Sequence, residues 1–288
     1  MKLKELGKNA VGRSARNPIA WSLYKLCGRL SNSFGRIYGH AHFARETGER
    51  DERLREIVDS MFPSLTVAGG PFKGMRYPSG QSHGSALLPK LLGSYESELH
   101  PFLEQMFANE YNTIVDIGCA EGYYAVGLGL RFAQADVNAD VYAFDTSEHA
   151  RRLCSNLAKL NGIESRVHIE GFCDAATLKS IPLGSKALII SDCEGYEDVL
   201  FTSEIAELLA RHDLILETHD FIDIDISSRL REVFAKTHQV RSIKSTDDIE
   251  KAHTYRYAQL DGYDTQTRRL ILAERRPAIM EWLVMTSR

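Results

Sequence analysis

The chain lacks any apolar stretch of the roughly 18 residues that a membrane helix requires, and its cysteines are few and scattered. Its 288 residues include five cysteines, with no CxxC pair and no Cys/His spacing typical of zinc ligands. These absences argue against a membrane span, a zinc site and a disulfide framework. We therefore expect reduced thiols in a cytoplasmic protein. The opening residues, "MKLKELGKNAVGRSARNP", contain no apolar core, so we expect no secretory signal.

The charge is unevenly distributed along an otherwise ordinary globular composition. The chain has 43% apolar and 26% charged residues and a net charge of −4. Residues 1–45 nevertheless carry nine Lys or Arg and a single acid, Glu5. A basic arm of this kind can contact phosphate or an anionic membrane, but no aromatic and basic nucleic-acid module accompanies it. We expect a solvated helical face or a subunit contact, with no nucleic-acid partner and no membrane partner.

The pattern of apolar residues predicts two regions. Helical spacing over about 17–60 begins with Asn17 and Pro18, a suitable helix start, and a second helix over 50–62 precedes Pro63. We expect an N-terminal helical extension over 1–62 that acts as a cap or forms a homodimer contact. One main domain over 63–288 then opens with a glycine-rich hairpin (64–80) and a helical lead-in (93–110).

Apolar strands alternate with amphipathic helices from residue 113 onward. Strands that are apolar on both faces and are separated by helices indicate a parallel sheet covered on both sides, which is an α/β fold. We expect the last two strands to close the sheet as an antiparallel hairpin around a polar, tyrosine-rich insert. The predicted strands are 113–118, 141–145, 166–170, 187–192, 213–218, 239–244 and 268–274.

A glycine turn follows the first strand and a carboxylate follows the second. In "IVDIGCAEGYY", Gly118 and Gly122 allow the backbone to turn sharply close to a ligand. A nicotinamide-binding turn would read GxGxxG; here the corresponding positions are Gly118, Ala120 and Gly122, followed by bulky tyrosines, which disfavours a diphosphate cofactor. Asp145, at the end of the second strand, can accept both hydroxyls of a ribose, an arrangement open to any adenosine cofactor.

Acidic residues crowd the ends of the fourth and fifth strands. The fourth strand runs into "SDCEGYE" (191–197), which contains Asp192, Glu194 and Glu197, and the fifth ends in "LETH", which contains Glu217 and His219. Ligands of parallel sheets bind beyond the carboxyl ends of the strands. We therefore expect these side chains to face a pocket.

In order and spacing, "VDIGCAEGYY", "FDTS", "SDCEGYE" and "LETH" resemble the motifs of class I S-adenosylmethionine-dependent methyltransferases, and of the FkbM-like family in particular. The resemblance covers about residues 90–275. It implies a Rossmann-like class I methyltransferase fold, with a mostly parallel seven-stranded sheet and helices on both faces. The chain departs from that family at Glu121, where Asn is common.

The resemblance also implies an S-adenosylmethionine pocket at the carboxyl edge of the sheet. Asp145 would bind the ribose, Thr146 would lie beside the adenine, and the segment containing Tyr95 would fold over the cofactor. The implied cofactor-binding residues are Tyr95, Glu96, Asp116, Gly118, Ala120, Glu121, Gly122, Asp145, Thr146, Cys173, Asp174 and Asp192.

An alcohol acceptor must lose a proton during methylation, so a general base is expected at this edge. His219 is the preferred base because imidazole titrates near neutral pH; Asp192 would orient it or act as the base itself, and Glu194 completes the predicted catalytic set. A second mechanism, in which Asp192, Glu217 and either His219 or Asp220 bind Mg²⁺, stays open. Candidate acceptor-site residues are His83, Tyr196, His253, Tyr255 and Arg256.

The preferred function is O-methylation of a hydroxyl group on a small molecule, a sugar or a specialised metabolite. Two alternatives remain open: N-methylation of a peptide or amine, and a non-catalytic adenosine-binding scaffold whose N-terminal helices dock a partner protein. An NAD-dependent oxidoreductase is disfavoured because the third glycine of its turn is missing.

Overall fold

The computed structural model describes residues 48–80, 82–83 and 85–288. The chain divides into two compact units, residues 1–56 and 57–288. In the first unit the described residues, 48–56, are helical. The helices predicted over 17–47, and the homodimer contact assigned to them, lie outside the described residues. The predicted domain boundary after residue 62 stays a prediction.

A sheet forms the centre of the second unit, and its seven described strands have the order β3-β2-β1-β4-β5-β7-β6. β1 pairs in parallel with β2 and β4, β2 with β3, and β4 with β5, whereas β7 is antiparallel to both β5 and β6. This confirms the predicted α/β fold with a mostly parallel seven-stranded sheet. The strands are β1 (Thr113–Ile117), β2 (Asp140–Phe144), β3 (Val167–Glu170), β4 (Ala187–Ser191), β5 (Asp213–Thr218), β6 (His238–Lys244) and β7 (Glu281–Ser287).

Helices connect the strands. Helix α5 shows how local sequence sets their limits: the Ser147 side chain accepts a hydrogen bond from Ala150 N at 3.3 Å, and Gly162, with φ of 71°, follows its end. Numbering the helical residues 48–61 as α1, the helices are α2 (Leu87–Leu92), α3 (His100–Met106), α4 (Tyr123–Gln134), α5 (Glu148–Leu160), α6 (Ala175–Ser180), α7 (Glu197–Leu200), α8 (Ser203–Leu208), α9 (Ile226–Phe234), α10 (Asp248–Thr254) and α11 (Thr265–Leu272).

The core lies against the central strands. β1, β4 and β5 are buried along their whole length because both faces of the sheet are covered. On one face, Ile189 and Leu214 belong to the same apolar cluster as Ile205 and Phe234 from α8 and α9. Each side chain of this size contributes about 1.5 to 3 kcal/mol on burial. The carboxyl ends of these strands are therefore held in fixed positions.

Two predictions near the end of the chain are wrong. The segment 268–274, predicted to be a strand, belongs mainly to α11, which begins where the Asp264 side chain accepts a hydrogen bond from Thr267 N at 2.8 Å. Thr267 and Ile271, four residues apart, are both buried, so the apolar period is helical. The antiparallel partner of β6 is instead β7, in which residues 282–285 are all buried.

The glycine-rich hairpin over 64–80 is present in reduced form. It consists of a single antiparallel bridge between Thr66 and Arg76, with Val67 N donating to Met75 O at 2.9 Å.

Cys119, Cys154, Cys173 and Cys193 are free thiols. Among the residues that the structure covers, no helix is long and apolar enough to cross a bilayer.

Candidate active site

A cavity of about 440 Å³ lies at the carboxyl end of the sheet. It lies across the neighbouring ends of β1 and β4. From β1 the chain continues to β2, toward one edge of the sheet, and from β4 it continues to β5, toward the other edge. Ligands of open α/β sheets bind at such a switch point, and the volume falls within the range usual for small-molecule sites. Each of the five parallel strands places a residue there: Gly118, Asp145, Cys173, Asp192 and His219.

The cavity brings together most of the residues that the sequence nominates. The predicted cofactor and catalytic residues in its wall are Tyr95, Asp116, Gly118, Ala120, Asp145, Thr146, Cys173, Asp192, Glu194 and His219. Four others, Glu96, Glu121, Gly122 and Asp174, lie outside the wall. Of the predicted acceptor-site residues, His83 and Tyr196 line the cavity, whereas His253, Tyr255 and Arg256 do not.

The glycine turn after β1 is packed directly against the end of β4. Gly118 has φ of +86°, and a Cβ at this position would lie 1.7 Å from the carbonyl oxygen of Asp192. Asp192 N in turn donates to Ile117 O at 2.9 Å. No residue with a side chain fits at Gly118 without moving one of the two strand ends. The turn and the acidic segment are therefore one rigid unit.

Asp145 faces the cavity from the end of β2. Its Oδ2 accepts a hydrogen bond from Ala120 N at 2.9 Å, and its Oδ1 accepts one from Ser147 N at 2.7 Å. Each carboxylate oxygen can accept a second hydrogen bond. The carboxylate is thus fixed in place by the backbone and can still accept two hydroxyl groups.

Asp116 connects the floor of the cavity to α4. Its Oδ2 accepts a hydrogen bond from Ala125 N at 2.8 Å. Burial raises the pKa of Asp116 to about 7, and the nearby charges of Asp192 and Asp145 act in the same direction. The hydrogen bond from Ala125 to Asp116 orients α4 against β1.

Glu121, the position that departs from the resembled family, has a buried partner. Its Oε1 lies 2.5 Å from Lys90 Nζ and accepts a hydrogen bond from Ser82 Oγ at 2.9 Å. Lys90 lines the cavity and lies 4.8 Å from the centre of the Tyr95 ring. The carboxylate holds this lysine in place and does not itself reach the cavity wall. Asp174 likewise has a structural contact, because its side chain caps α6 by accepting from Thr177 N at 2.8 Å.

His219 is held between carboxylates at the end of β5. Its Nδ1 lies 2.6 Å from Glu197 Oε1, and its Nε2 lies 3.4 Å from Asp192 Oδ1 and 3.6 Å from Glu194 Oε2. Burial lowers the pKa of His219, but the interactions with Asp192 and Glu197 outweigh it and raise the pKa to about 10. The imidazole is therefore a cation at neutral pH. A cationic ring cannot accept a proton, so this arrangement does not favour His219 as the general base.

One carboxylate oxygen of Asp192 lies beside that cation, and the rest of the side chain faces the cavity. Its buried Oδ1 accepts no hydrogen bond from the residues that the structure covers. The whole side chain is 35% exposed, toward the cavity. Glu194 is more open, at 81% exposure, and burial followed by the Asp192 charge raises the pKa of its carboxyl. Asp192 thus has one oxygen fixed beside His219, while the exposed part of its carboxylate is available to a ligand in the cavity.

The proposed magnesium ligands are not all available. The Glu217 carboxylate binds the Arg276 guanidinium, and Asp220 Oδ1 accepts a hydrogen bond from Ser227 N at 2.8 Å. Ligand atoms of Asp192, Glu194 and His219 do lie within 4.8 Å of one another. A metal bound there would have to displace the ring proton of His219, because a metal-ligating imidazole is neutral.

Arg276 also lines the cavity, although no motif of the sequence points to it. Its guanidinium binds Glu96 and Glu217, and its Nε lies 2.9 Å from Glu274 Oε2. Burial lowers the pKa of Arg276, but these carboxylates raise it well above its usual value. Only the pairing of Lys90 had a sequence signal, since a lone lysine within the apolar run "LLPKLL" predicts a buried cation with a partner.

No protein-family profile and no curated protein sequence matches the chain. Solved structures do match. A geranyl diphosphate methyltransferase in complex with GPP and sinefungin is 13% identical, with coverage of 70% of this chain and 81% of that chain and a TM-score of 0.42. A precorrin-6y C5,15-methyltransferase from Geobacter metallireducens GS-15 is 10% identical, with coverage of 64% and 89% and a TM-score of 0.42. A cofactor-bound protein from MTB is 11% identical, with coverage of 67% and 80% and a TM-score of 0.44.

The fold is that of Rossmann-like class I methyltransferases. This assignment rests on the strand order, in which β7 is inserted antiparallel between β5 and β6. Substrate and chemistry do not follow from neighbours at such low identity. The resemblance to the FkbM-like family stays a prediction.

Proposed function

We propose that this protein is an S-adenosylmethionine-dependent methyltransferase that methylates a hydroxyl group of a small molecule. One observation carries the proposal. The glycine turn of β1, the Asp145 carboxylate of β2 and the acid–imidazole cluster of β4 and β5 line a single cavity at the switch point of the sheet. The first two features suit an adenosine ligand, and the third suits the removal of a hydroxyl proton.

The residues present fit the cofactor. S-adenosylmethionine, when bound, supplies an electrophilic methyl group attached to a positively charged sulfur. Gly118 lets the turn pack directly on the Asp192 carbonyl and lines the cavity, and Asp145 retains acceptor capacity for the two ribose hydroxyls. Carboxylates in the wall, including Asp192 and Glu194, favour a cationic ligand.

Asp192 is the residue that we assign to deprotonation of the acceptor. Its buried Oδ1 lies 3.4 Å from His219 Nε2, whereas the rest of the side chain, which is 35% exposed as a whole, faces the cavity. An acceptor hydroxyl placed against the other carboxylate oxygen, Oδ2, would donate its proton to Asp192 while its own oxygen becomes the nucleophile. The His219 cation then stabilises the negative charge that develops on the acceptor oxygen. The remaining task of the cavity is alignment, which can supply about 7 to 11 kcal/mol in the best cases.

The first experiment measures cofactor binding by the full chain. We expect isothermal titration calorimetry to show binding of S-adenosylhomocysteine and S-adenosylmethionine, and mass spectrometry of the denatured purified protein to release one of them. Release of NAD, or failure of both ligands to bind, would contradict the proposal.

The second experiment follows transfer of an isotopically labelled methyl group to matched alcohols and amines. Labelled ethers support the proposal, whereas labelled amines alone would replace it with N-methylation. Binding without transfer to any acceptor of the panel would favour the scaffold alternative.

A further inference from the structure

Two loops that contribute to the cavity wall carry exposed apolar side chains. Phe172, in the loop after β3, is 53% exposed. In the loop after β5, Phe221 is 48% exposed, Ile222 57% and Ile224 80%. Isolated exposed apolar residues are common, but a contiguous group beside a cavity marks a binding surface.

Two contacts join these loops to the loop that follows β4. The rings of Phe172 and Tyr196 lie 5.2 Å apart, centre to centre. Ile222 packs over the next loop, since a Cβ added at Gly195 would lie 3.0 Å from its Cδ1. We call Phe172, Tyr196, Phe221 and Ile222 the apolar rim. The rim crosses the loops that follow β3, β4 and β5.

The apolar rim adjoins the groups assigned to proton removal. The Phe221 ring lies 5.7 Å from the His219 ring, and Phe172, Tyr196 and Phe221 all line the cavity. Molecules with a hydroxyl group at Asp192 would extend past these side chains on the way to solvent. A fully polar ligand would leave the apolar surface of the rim exposed to water. A ligand with an apolar portion would cover this surface, and removing it from water favours binding.

We propose that the methyl acceptor is an amphipathic small molecule whose apolar portion, alkyl or aromatic, packs on the apolar rim while its hydroxyl group reaches Asp192. This inference rests on the proposed function. Charge favours a small molecule over a membrane surface, because Ile222 and Ile224 alternate with the exposed acids Asp223 and Asp225. Anionic lipid headgroups would repel such a loop.

The test uses a homologous series of n-alkyl β-D-glucosides, from methyl to octyl, below their micelle concentrations. Their binding to the full chain saturated with S-adenosylhomocysteine is measured by calorimetry. We expect affinity to rise about twofold to fourfold for each added CH₂ group that the rim covers. The double substitution Phe221→Ser and Ile222→Ser should reduce this increase in affinity to less than about 1.5-fold for each CH₂ group.

A matched control separates the rim from general surface hydrophobicity. Ile249, on α10, is 55% exposed and lies outside the cavity wall. Ile249→Ser should leave the dependence on chain length unchanged. If the double variant does not fold, Phe221→Ser alone is compared with the same control. An equal loss in the control variant would overturn the proposal.

The affinity for S-adenosylhomocysteine, measured in the same samples, distinguishes a failure of this inference from a failure of the proposed function. A wild-type protein that binds S-adenosylhomocysteine but shows no dependence on chain length overturns the inference and leaves the proposed function intact. A wild-type protein that does not bind it contradicts the proposed function. Loss of binding to phosphatidylcholine vesicles in the double variant, together with a flat glucoside series, would identify the rim as a membrane contact and overturn the inference.

Discussion

The Nδ1 atom of His219 lies 2.6 Å from a carboxylate oxygen of Glu197, and both side chains are buried. This contact fixes the orientation of the ring, so that Nε2 points toward Asp192 and Glu194. It also supplies part of the negative charge that keeps the imidazole protonated. Glu197 thereby acts through His219 on the electrostatics of the cavity, although it does not line the cavity itself.

The first prediction concerns the titration of His219. Because its pKa is raised to about 10, we expect nuclear magnetic resonance of labelled histidine to show a ring that stays protonated at pH 8. Glu197→Gln should lower this pKa, whereas Asp140→Asn, which lies at the far end of β2, should not. A ring that titrates near 6.5 in the wild-type protein would contradict the assignment.

The same shift has a consequence for stability. A pKa that is higher in the folded state than in the unfolded state contributes stability that is fully present below about pH 6.5 and is lost as the pH rises toward 10. The free energy of unfolding of the wild-type protein should therefore fall across this window more steeply than that of His219→Gln. Equal slopes for the two proteins in denaturant titrations would argue against a cationic His219.

The second prediction assigns the proton transfer. Asp192→Asn should reduce turnover about 100-fold or more because the amide cannot accept the hydroxyl proton. Asp198→Asn, six residues further along and outside the cavity wall, serves as the control. Rates are compared at saturating cofactor. Wild-type turnover in Asp192→Asn would exclude Asp192 as the base.

The third prediction concerns the ribose contact. Asp145→Ala should weaken binding of S-adenosylhomocysteine at least about tenfold, since it removes a pair of charge-assisted acceptors, which are roughly twice as strong as neutral ones. Asp140→Asn, on the same strand but 57% exposed at its other end, is the matched control. Calorimetry measures both affinities. Unchanged binding by Asp145→Ala would contradict the assignment.

The fourth prediction concerns the packing of the glycine turn. Gly118→Ala combines a positive φ with a Cβ that collides with the Asp192 backbone, so we expect a loss of at least about 3 kcal/mol in unfolding free energy. Gly162→Ala also has a positive φ, but nothing lies within 4 Å of its Cβ. It should cost only about 1 to 2 kcal/mol. Similar losses for the two variants in denaturant titrations would show that the collision is relieved by movement.

The fifth prediction concerns Arg276. Arg276→Met leaves Glu96, Glu217 and Glu274 buried without this cation, and should destabilise the fold by about 3 to 5 kcal/mol. Lys179→Met removes an exposed ion pair with Glu204 and should cost about 1 kcal/mol or less. Thermal denaturation at the same pH compares them. A small effect for Arg276→Met would show that protonation of the carboxylates compensates for the lost charge.

The parts of the fold that follow from local pattern were predictable. Strands β1, β4 and β5 are short, mainly apolar runs, and the alternation of all five parallel strands with helices predicts a parallel sheet. β7 was missed because the apolar residues of α11 resemble a strand in isolation and come earlier along the chain. The helical period of Thr267 and Ile271 becomes clear only with the cap at Asp264.

Within the candidate site, the sequence predicts which strand ends meet but not how the charges balance. Gly118, Asp145, Asp192 and His219 follow strands, so their convergence is a consequence of topology. The protonation of His219 depends on Glu197 being buried against it, which strand order alone does not determine. Arg276 pairs with Glu96 across 180 positions of the chain, a contact for which a single sequence contains no local signal.

The position of β7 has a consequence for the order of assembly during translation. The ribosome releases the parallel strands first, so β5 presents an unpaired edge until residues 281–287 emerge and insert beside it. The nascent protein would therefore pass through a stage in which the edge of the sheet is unpaired and prone to aggregation. At the start of this stage, Arg276 has not yet been synthesised. A chaperone that shields this edge would be most useful between the synthesis of β5 and that of β7.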